Sequence, residues 1–376
     1  MSSSCGNVVR TQIFGQSHSE AIGCTVDGIP AGFPVDLERL QAFLDRRAPG
    51  RADTSTTRRE ADRPRFLSGI SDGRTCGAPI AAVIENTNTR SQDYAGLRRV
   101  PRPGHADYPA FVRYRNYHDV AGGGHFSGRL TAPLCVAGGI ALQVLEHALG
   151  AHVVAHVATL GPAAVGDTAL DPRFFDDAQA RAIVENPLPC VSRDSALAMR
   201  EVILGAKDRG DSVGGTIECV CYGMPAGVGD PMFDGLENRI SRALFGIPAV
   251  KGVEFGAGFR AARLTGSQDN DPWRMRDGHV APEKNDAGGI LGGISTGAPI
   301  VARIAVKPTA SIGVEQRSVD LALGEDAPLK VRGRHDPCIV PRAVPVAEAA
   351  MALALLDALV EDGALPLPEA RPLAAD

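Results

Sequence analysis

GQSHSEAIGCTVDGIPAG, residues 15–32, returns at 210–227 as GDSVGGTIECVCYGMPAG. A single offset of 195 superposes Gly15 on Gly210, Ser17 on Ser212, Ile22 on Ile217, Cys24 on Cys219, Gly28 on Gly223 and the tripeptide Pro30-Ala31-Gly32 on Pro225-Ala226-Gly227. A helical pattern follows each copy: Leu37, Leu40, Phe43 and Leu44 after the first, Leu236, Ile240 and Leu244 after the second. That spacing gives each segment one apolar face. Further on, Gly69-Ile70-Ser71 with Gly77-Ala78-Pro79-Ile80 has a counterpart in Gly293-Ile294-Ser295 with Gly297-Ala298-Pro299-Ile300. Each GAPI opens an alternating run, AAVIEN or VARIAVKP, that reads as a strand. Chance recurrence of glycine, proline and alanine is the competing reading. Three features in one order favour a repeated structural unit.

The plan is therefore strand, turn, helix and hairpin, given twice, with units near 13–86 and 208–308. Helices are expected at 129–149, near 176–186, and at 346–360 after Pro345. Hairpin-like strands favour antiparallel sheets over a doubly wound parallel one. No Gly/Ser-rich or Pro-rich linker divides the chain, so 1–376 reads as one α+β domain with internal pseudo-twofold symmetry.

Composition narrows the function. A 44% hydrophobic, 22% charged chain is an ordinary globular protein. Its net charge of −5 and 5% aromatic content argue against a nucleic-acid partner. The eight cysteines are scattered without a C-x-x-C pair, so neither a metal site nor a disulfide framework is expected. MSSSCGNVVRTQIFG lacks the apolar core of a secretion signal. The most apolar stretches, around Ile140 and Leu353, are interrupted by Glu146 and Asp357, so neither reads as a membrane span. The expected location is cytoplasmic.

Chemistry concentrates at 102–129, where RPGHADY and GGGHFSGR bring His105, Asp107, His118, His125, Ser127 and Arg129 beside Gly122-Gly123-Gly124. Consecutive glycines allow close backbone approach and outward-turned N–H groups, which suit an anion. Histidines pass protons near neutral pH. The loop precedes a helix expected near Ser127 or Gly128, a place that receives phosphate, yet it matches neither the dinucleotide nor the P-loop pattern. Asp107 reads equally as a turn acceptor.

LDRRAPGR, 44–51, ends the first helix. Cations there complement the helix dipole, or bind carboxylate and phosphate; the residues alone leave both open. KPTAS, 307–311, and GRHDPC, 333–338, add two polar loops in which Asp336 is the one obvious carboxylate. In GQSHS, neighbouring Ser17 and His18 would point to opposite faces of a strand, which argues against a covalent Ser–His pair. Val213 replaces His18 in the second copy, so folding of the unit does not require the histidine.

Taken together these motifs, with LDRRAPG, TRREAD, SGISDG, NTRSQDY, AVKGVEFG, AGGILGGIS and IVPRAVPVAEA, resemble the chorismate synthase family over nearly the full chain. The resemblance implies a β-α-β sandwich assembled as a homotetramer, and a lyase using reduced FMN without net redox change. Its substrate would be 5-enolpyruvylshikimate 3-phosphate, whose two carboxylates and phosphate suit the arginine excess. The reaction would be a 1,4-anti elimination of phosphate with one C6 hydrogen. By motif, His18 would protonate the leaving phosphate, His105 would govern flavin protonation, and Asp336 would help remove the C6 hydrogen. Ser17 and Ser127 would assist. Flavin-binding positions would be His125, Phe126, Ser127, Pro248, Ala249, Gly292, Lys307, Pro308, Thr309, Ala310, Ser311 and Arg334. Arg46, Arg47, Arg129 and Arg342 would hold substrate anions.

NADPH, or a separate flavin reductase, is the implied source of reducing power. Gln16, Ser19, Asp53 and Ala121 depart from the family pattern. Two rivals are a flavin oxidoreductase and a non-catalytic flavin or phosphate binder.

Overall fold

A computed structural model describes residues 3–50, 54, 61–87, 96–162, 164–166, 169–170, 175–276, 278–331 and 336–371. Two five-stranded antiparallel sheets enclose a layer of helices. In the first sheet the strands run in the order Ser4–Cys5, Arg10–Gly15, Ala21–Asp27, Ile80–Glu85, Arg65–Ser68. In the second the order is Val165–Gly166, His152–Leu160, Gly215–Tyr222, Ile300–Val306, Val250–Phe255. The sheets correspond strand for strand on the repeated side: Ala21–Asp27 lies beside Ile80–Glu85 as Gly215–Tyr222 lies beside Ile300–Val306.

Period-two alternation puts Ile22, Cys24 and Val26 of the first sheet, and Ile217, Cys219 and Cys221 of the second, on the helix layer. The second sheet is also covered outside, where Val220, Tyr222 and Val301 pack with Leu170. A strand buried on both faces reads as a continuous apolar run, which is why GTIECVCY shows weak alternation.

Thr131–Leu149 and Val340–Glu361 form the centre of the layer. Both are long and apolar enough for a membrane span, and both are mostly buried within the protein. Helices apolar all round belong in such a core. A Cβ at Gly138 would stand 2.3 Å from that of Ala349, so glycine permits their close approach. Of the acidic residues that break their apolar runs, Glu146 pairs with Arg39 at the surface and Asp357 has an internal task. Asp357 is 4% exposed and accepts the backbone N–H groups of Asn7, Val8 and Val9. Leu37–Arg47 is capped by Asp36, which accepts from Glu38 and Arg39, and it turns Leu40 and Leu44 inward.

Three expectations need correction. The last helix begins at Val340, not after Pro345, which lies inside it. Pro341 sits in the first turn, where a missing N–H costs least. The central helix begins at Thr131, after a 3₁₀ turn at Gly128–Leu130. The pairing of Gly69-Ile70-Ser71 with Gly293-Ile294-Ser295 is out of register. The hairpins pair Ile70 with Thr75 and Ile290 with Ser295, so one offset of 220 relates them (290 − 70 and 295 − 75) and Ser295 answers to Thr75. The GAPI pairing keeps that offset.

The hydroxyls at these two positions do the same work. Thr75 Oγ1 donates to the Pro30 carbonyl (2.7 Å) and accepts Phe33 N–H (3.0 Å). Ser295 Oγ donates to the Pro225 carbonyl (2.6 Å) and accepts Val228 N–H (2.9 Å). The backbone repeats the clamp: Gly32 N–H reaches the Thr75 carbonyl and Gly227 N–H the Ser295 carbonyl. Arg193–Asp208 is a further helix, capped by Ser192 and burying Ala196, Met199, Ile203 and Ala206, outside the motifs read from sequence.

Candidate functional site

Gly122, Gly123 and Gly124 all adopt positive φ (62°, 87° and 56°), the region that L side chains avoid. The turn they make is pinned by Ser17 N–H donating to the Gly124 carbonyl at 3.0 Å. A Cβ at Gly122 would stand 2.5 Å from Ser17 Oγ and 2.7 Å from the His18 ring, so Ser17 and His18 lie directly against the loop. Ser127 Oγ donates to Ser17 Oγ at 3.3 Å. His125 Nδ1 donates to the Gly15 carbonyl (2.7 Å), leaving Nε2 to accept Ser3 Oγ–H (2.7 Å). The start of the first repeat and the glycine loop thus make one unit.

That unit forms part of the wall of a cavity of about 640 Å³, a size that suits a cofactor or drug-sized ligand. Gly122, His125, Phe126 and Ser127 line it; so do His105, Pro248, Ala249, the whole segment 307–311, Asp336, Arg47, Arg129 and Arg342. His105 and Asp336 therefore share one hollow, with His18 behind its glycine wall. Arg46 and Gly292 are not among the lining residues. Arg46 makes a two-pronged pair with buried Glu348 at 2.7 and 2.8 Å. Gly292 turns the Ile290–Leu291/Ile294–Ser295 hairpin. Arg334 and Asp53 lie outside the described residues.

Electrostatics organise the cationic side. Buried Asp62 bridges Arg47 and Arg129. Burial alone would raise its pKa, but the two guanidinium groups outweigh burial and hold it below the ordinary carboxylate value. Arg47 also donates to Thr131 Oγ1 (3.1 Å) and Arg129 to Asn86 Oδ1 (3.0 Å). Arg342 pairs with Asp336 and donates to the Arg47 carbonyl (3.0 Å). Lys307 Nζ donates to the Gly104 carbonyl (2.8 Å); burial first, and then the charge of Lys251, lower its pKa. An anion in the cavity would relieve that repulsion.

His105 belongs to a second cluster of the same cavity. Its Nδ1 is 2.6 Å from Asp107 Oδ1. Arg102 grips the same carboxylate through Nε (2.7 Å), Nη2 (2.8 Å) and its backbone N–H (3.0 Å), and reaches Ser311 Oγ at 3.0 Å. Burial raises the Asp107 pKa, yet hydrogen bonds from Arg102 and His105 prevail and hold it well below the usual range.

Two details indicate room for a ligand. Thr309 Oγ1 is buried without a hydrogen-bond partner, which is costly unless something else satisfies it. Ala249 holds φ at +76°, uncommon for a residue with a Cβ, and its carbonyl accepts Lys307 N–H at 3.0 Å. Backbone strain of this kind concentrates at ligand sites. An orphaned hydroxyl, a glycine cradle and paired lysines fit a phosphorylated cofactor such as FMN.

Sequence reasoning did not select Asp62, Asn86, Arg102 or Lys251. Asp62 and Lys251 stand inside quoted motifs, TRREAD and AVKGVEFG, but charge alone does not say which neighbour is gripped. Among the described residues, no three His, Cys, Asp or Glu side chains are grouped to hold a metal.

A family model described as "Chorismate synthase" matches residues 9–360. A protein of that name from Lancefieldella parvula is 48% identical over 368 residues, 96% of each chain. Another from Korarchaeum cryptofilum is 46% identical, covering 94% of this chain and 96% of the relative. A solved structure titled "Crystal Structure of Chorismate Synthase" superposes with a TM-score of 0.74 at 27% identity, over 95% of this chain and 93% of that one.

Proposed function

The chain belongs to the chorismate synthase family and is a carbon–oxygen lyase acting on a phosphate ester; from that premise we propose how its cavity performs the reaction. The substrate is 5-enolpyruvylshikimate 3-phosphate, and the step is the 1,4-anti elimination of its phosphate with a C6 hydrogen to give chorismate. Reduced FMN would supply transient electron donation, a chemistry without net redox change. His125, Phe126, Ser127, Pro248, Ala249 and the segment Lys307, Pro308, Thr309, Ala310 and Ser311 hold it, with Gly292 and Arg334 assigned by family motif.

Arg47, Arg129 and Arg342 neutralise the substrate's carboxylates and phosphate, with Arg46 behind them. Two of them are held in place by Asp62, and guanidinium groups bind carboxylate and phosphate two-pronged. His18 donates a proton to the departing phosphate, assisted by Ser17 and Ser127. Asp336 assists removal of the C6 hydrogen, and His105 sets the protonation of the electron donor. A bound substrate competes with Asp336 for Arg342 and so changes the pairing of the carboxylate.

The observation that carries this reading is a single cavity lined by His105, Asp336 and four arginines beside an unpaired Thr309 hydroxyl. We further propose a homotetramer in the cytoplasm, with NADPH or a separate reductase supplying electrons. The test is phosphate release from 5-enolpyruvylshikimate 3-phosphate under anaerobic, flavin-reducing conditions. Release without stoichiometric reductant is expected. Stoichiometric consumption would mark an oxidoreductase, and no release a silenced binder. Turnover should collapse in His105→Ala and Asp336→Ala with folding intact; near wild-type rates in both would refute the assigned roles.

A further inference from the structure

We propose that Asp107 is a positioning residue: it fixes the proton of His105 on Nδ1 and leaves Nε2 as the only atom through which that imidazole exchanges a proton in the cavity. The inference deepens the role given to His105 above and rests on it. It starts from the 2.6 Å separation of His105 Nδ1 and Asp107 Oδ1. Two acceptors cannot approach so closely, so a proton lies between them. The carboxylate does not carry it, because both its oxygens already receive hydrogens. Oδ2 takes the backbone N–H and Nε–H of Arg102, at 3.0 and 2.7 Å, and Oδ1 takes Nη2–H at 2.8 Å. Arg102 Nη2 also lies 3.1 Å from Nδ1, but its shorter bond is the one to Oδ1. The 2.6 Å contact requires a proton, which therefore resides on Nδ1, and neutral His105 has a bare Nε2.

The clamp is rigid and dry. The side chains of Arg102 and Asp107 are 4% and 6% exposed. Arg102 Nη1 is tied at 3.0 Å to Ser311 Oγ, in the segment that lines the cavity. Nε2 is on the free side. A Cβ at Gly123 would stand 3.3 Å from both Cε1 and Nε2, so the absence of a side chain there keeps that edge clear. The short helix Asp107–Arg113 begins at the aspartate itself, which places the carboxylate two residues after the histidine it orients. A turn acceptor, the bland reading of Asp107 in RPGHADY, would have no need of a buried guanidinium that is itself anchored to Ser311, 209 residues beyond Arg102.

Substitution exposes the logic. Asparagine keeps the shape but turns one oxygen into an N–H₂ donor. If that amide faces Arg102 Nε and N–H, donors oppose donors. If it faces His105, the imidazole must accept at Nδ1 and move its proton to Nε2. The lower-cost outcome is the second: the amide then opposes one Arg102 donor, Nη2–H, instead of two, the histidine can change tautomer, and Nη2 at 3.1 Å from the bared Nδ1 can turn to donate there.

The test is ¹⁵N NMR of histidine-labelled, flavin-free protein, with His105→Gln assigning the signal. In the wild type, Nδ1 should be protonated and Nε2 bare. In Asp107→Asn the pattern should invert, and kcat should fall about 10²-fold or more while KM changes less. Asp107→Glu should restore the wild-type pattern and part of kcat. A bare Nδ1 in the wild type, or an unchanged pattern in Asp107→Asn, would overturn the proposal; a loss of thermal stability alone would show only that the clamp holds the loop. If Asp107→Asn does not fold, the wild-type spectrum still decides. The measurement needs neither flavin nor substrate. A wild type with the expected tautomer and no phosphate release would sink the functional reading and leave this one standing.

Discussion

The two copies of the repeated segment lead into equivalent strands and work differently. In the first, Ser17 N–H grips the Gly124 carbonyl and the Ser17–His18 pair presses on the glycine loop. In the second, Ser212 Oγ donates to the Thr309 carbonyl at 2.7 Å, and buried Val213 sends its N–H to the Pro337 carbonyl at 2.9 Å. Each copy therefore braces a different segment beside the same cavity: the glycine loop on one side, residues 309 and 337 on the other. Only the first carries a titratable group at the second position. The scaffold repeats as two braces, and the proposed function gives chemistry to one of them. The comparison teaches that a shared scaffold position is informative about placement and uninformative about role.

Exchanging the second residue between the copies tests that division most severely. His18→Val should leave the thermal midpoint within a few degrees, because the second copy folds with valine there. Its kcat should fall by about 10²–10⁴, the usual loss of a general acid. The reverse change, Val213→His, should cost about 1–3 kcal/mol, since it buries an imidazole where 7% of the valine is exposed. Urea unfolding and phosphate release measure both. Retained turnover in His18→Val would remove His18 from the mechanism.

Legibility in the sequence followed the same division. The repeat was readable because glycine and proline mark turns in a fixed order: the 195 offset and the GAPI pairing lead directly to equivalent strands in two sheets. The GIS match misled because its letters recur within a glycine-rich hairpin, where register depends on cross-strand pairing that spacing does not encode. Polar residues adjacent to glycines, such as His105, His125 and Ser127, were readable as candidates, and they line the cavity. Asp62 was not, since a buried carboxylate between two arginines is a tertiary fact. Arg46 shows the converse. Its place in LDRR suggested an anion site, and its nearest anion is Glu348 of the protein itself.

Buried ion clusters separate the halves again, with a smaller effect expected. Asp62 joins Arg47 and Arg129 at the cavity; Glu218 joins His156 and Arg303 across the second sheet. Burial pushes each carboxyl up, but the partners outweigh it and each pKa lies below its ordinary value. A depressed carboxylate stabilises the fold above its unfolded pKa, about 4, and that contribution disappears as pH falls through the folded value. Wild-type stability should thus decline below about pH 4, and either Asp62→Asn or Glu218→Gln should flatten the decline. At neutral pH each should be less stable, by up to about 3–5 kcal/mol for breaking a buried pair. Only Asp62→Asn should also raise substrate KM, by about tenfold if the arginines lose about 1.4 kcal/mol of alignment. Equal KM effects in both would mean that the clusters are interchangeable struts.

The mildest test uses the serines that the two copies share. Ser212→Ala removes one hydrogen bond to the Thr309 carbonyl, worth about 0.5–1.5 kcal/mol. Because that bond positions the segment bearing the unpaired Thr309 hydroxyl, the loss should surface as flavin affinity weakened about 2- to 10-fold, with kcat at saturating flavin nearly unchanged. Ser17→Ala should show the opposite split. It keeps the backbone bond from Ser17 N–H to Gly124 and removes the hydroxyl that meets Ser127 Oγ, so kcat should drop while flavin affinity stays close to wild type. Flavin titration by fluorescence and turnover at saturation distinguish the two. If both variants lost affinity alone, the first copy would be a brace like the second, and the proton attributed to His18 would have to come from elsewhere in the cavity.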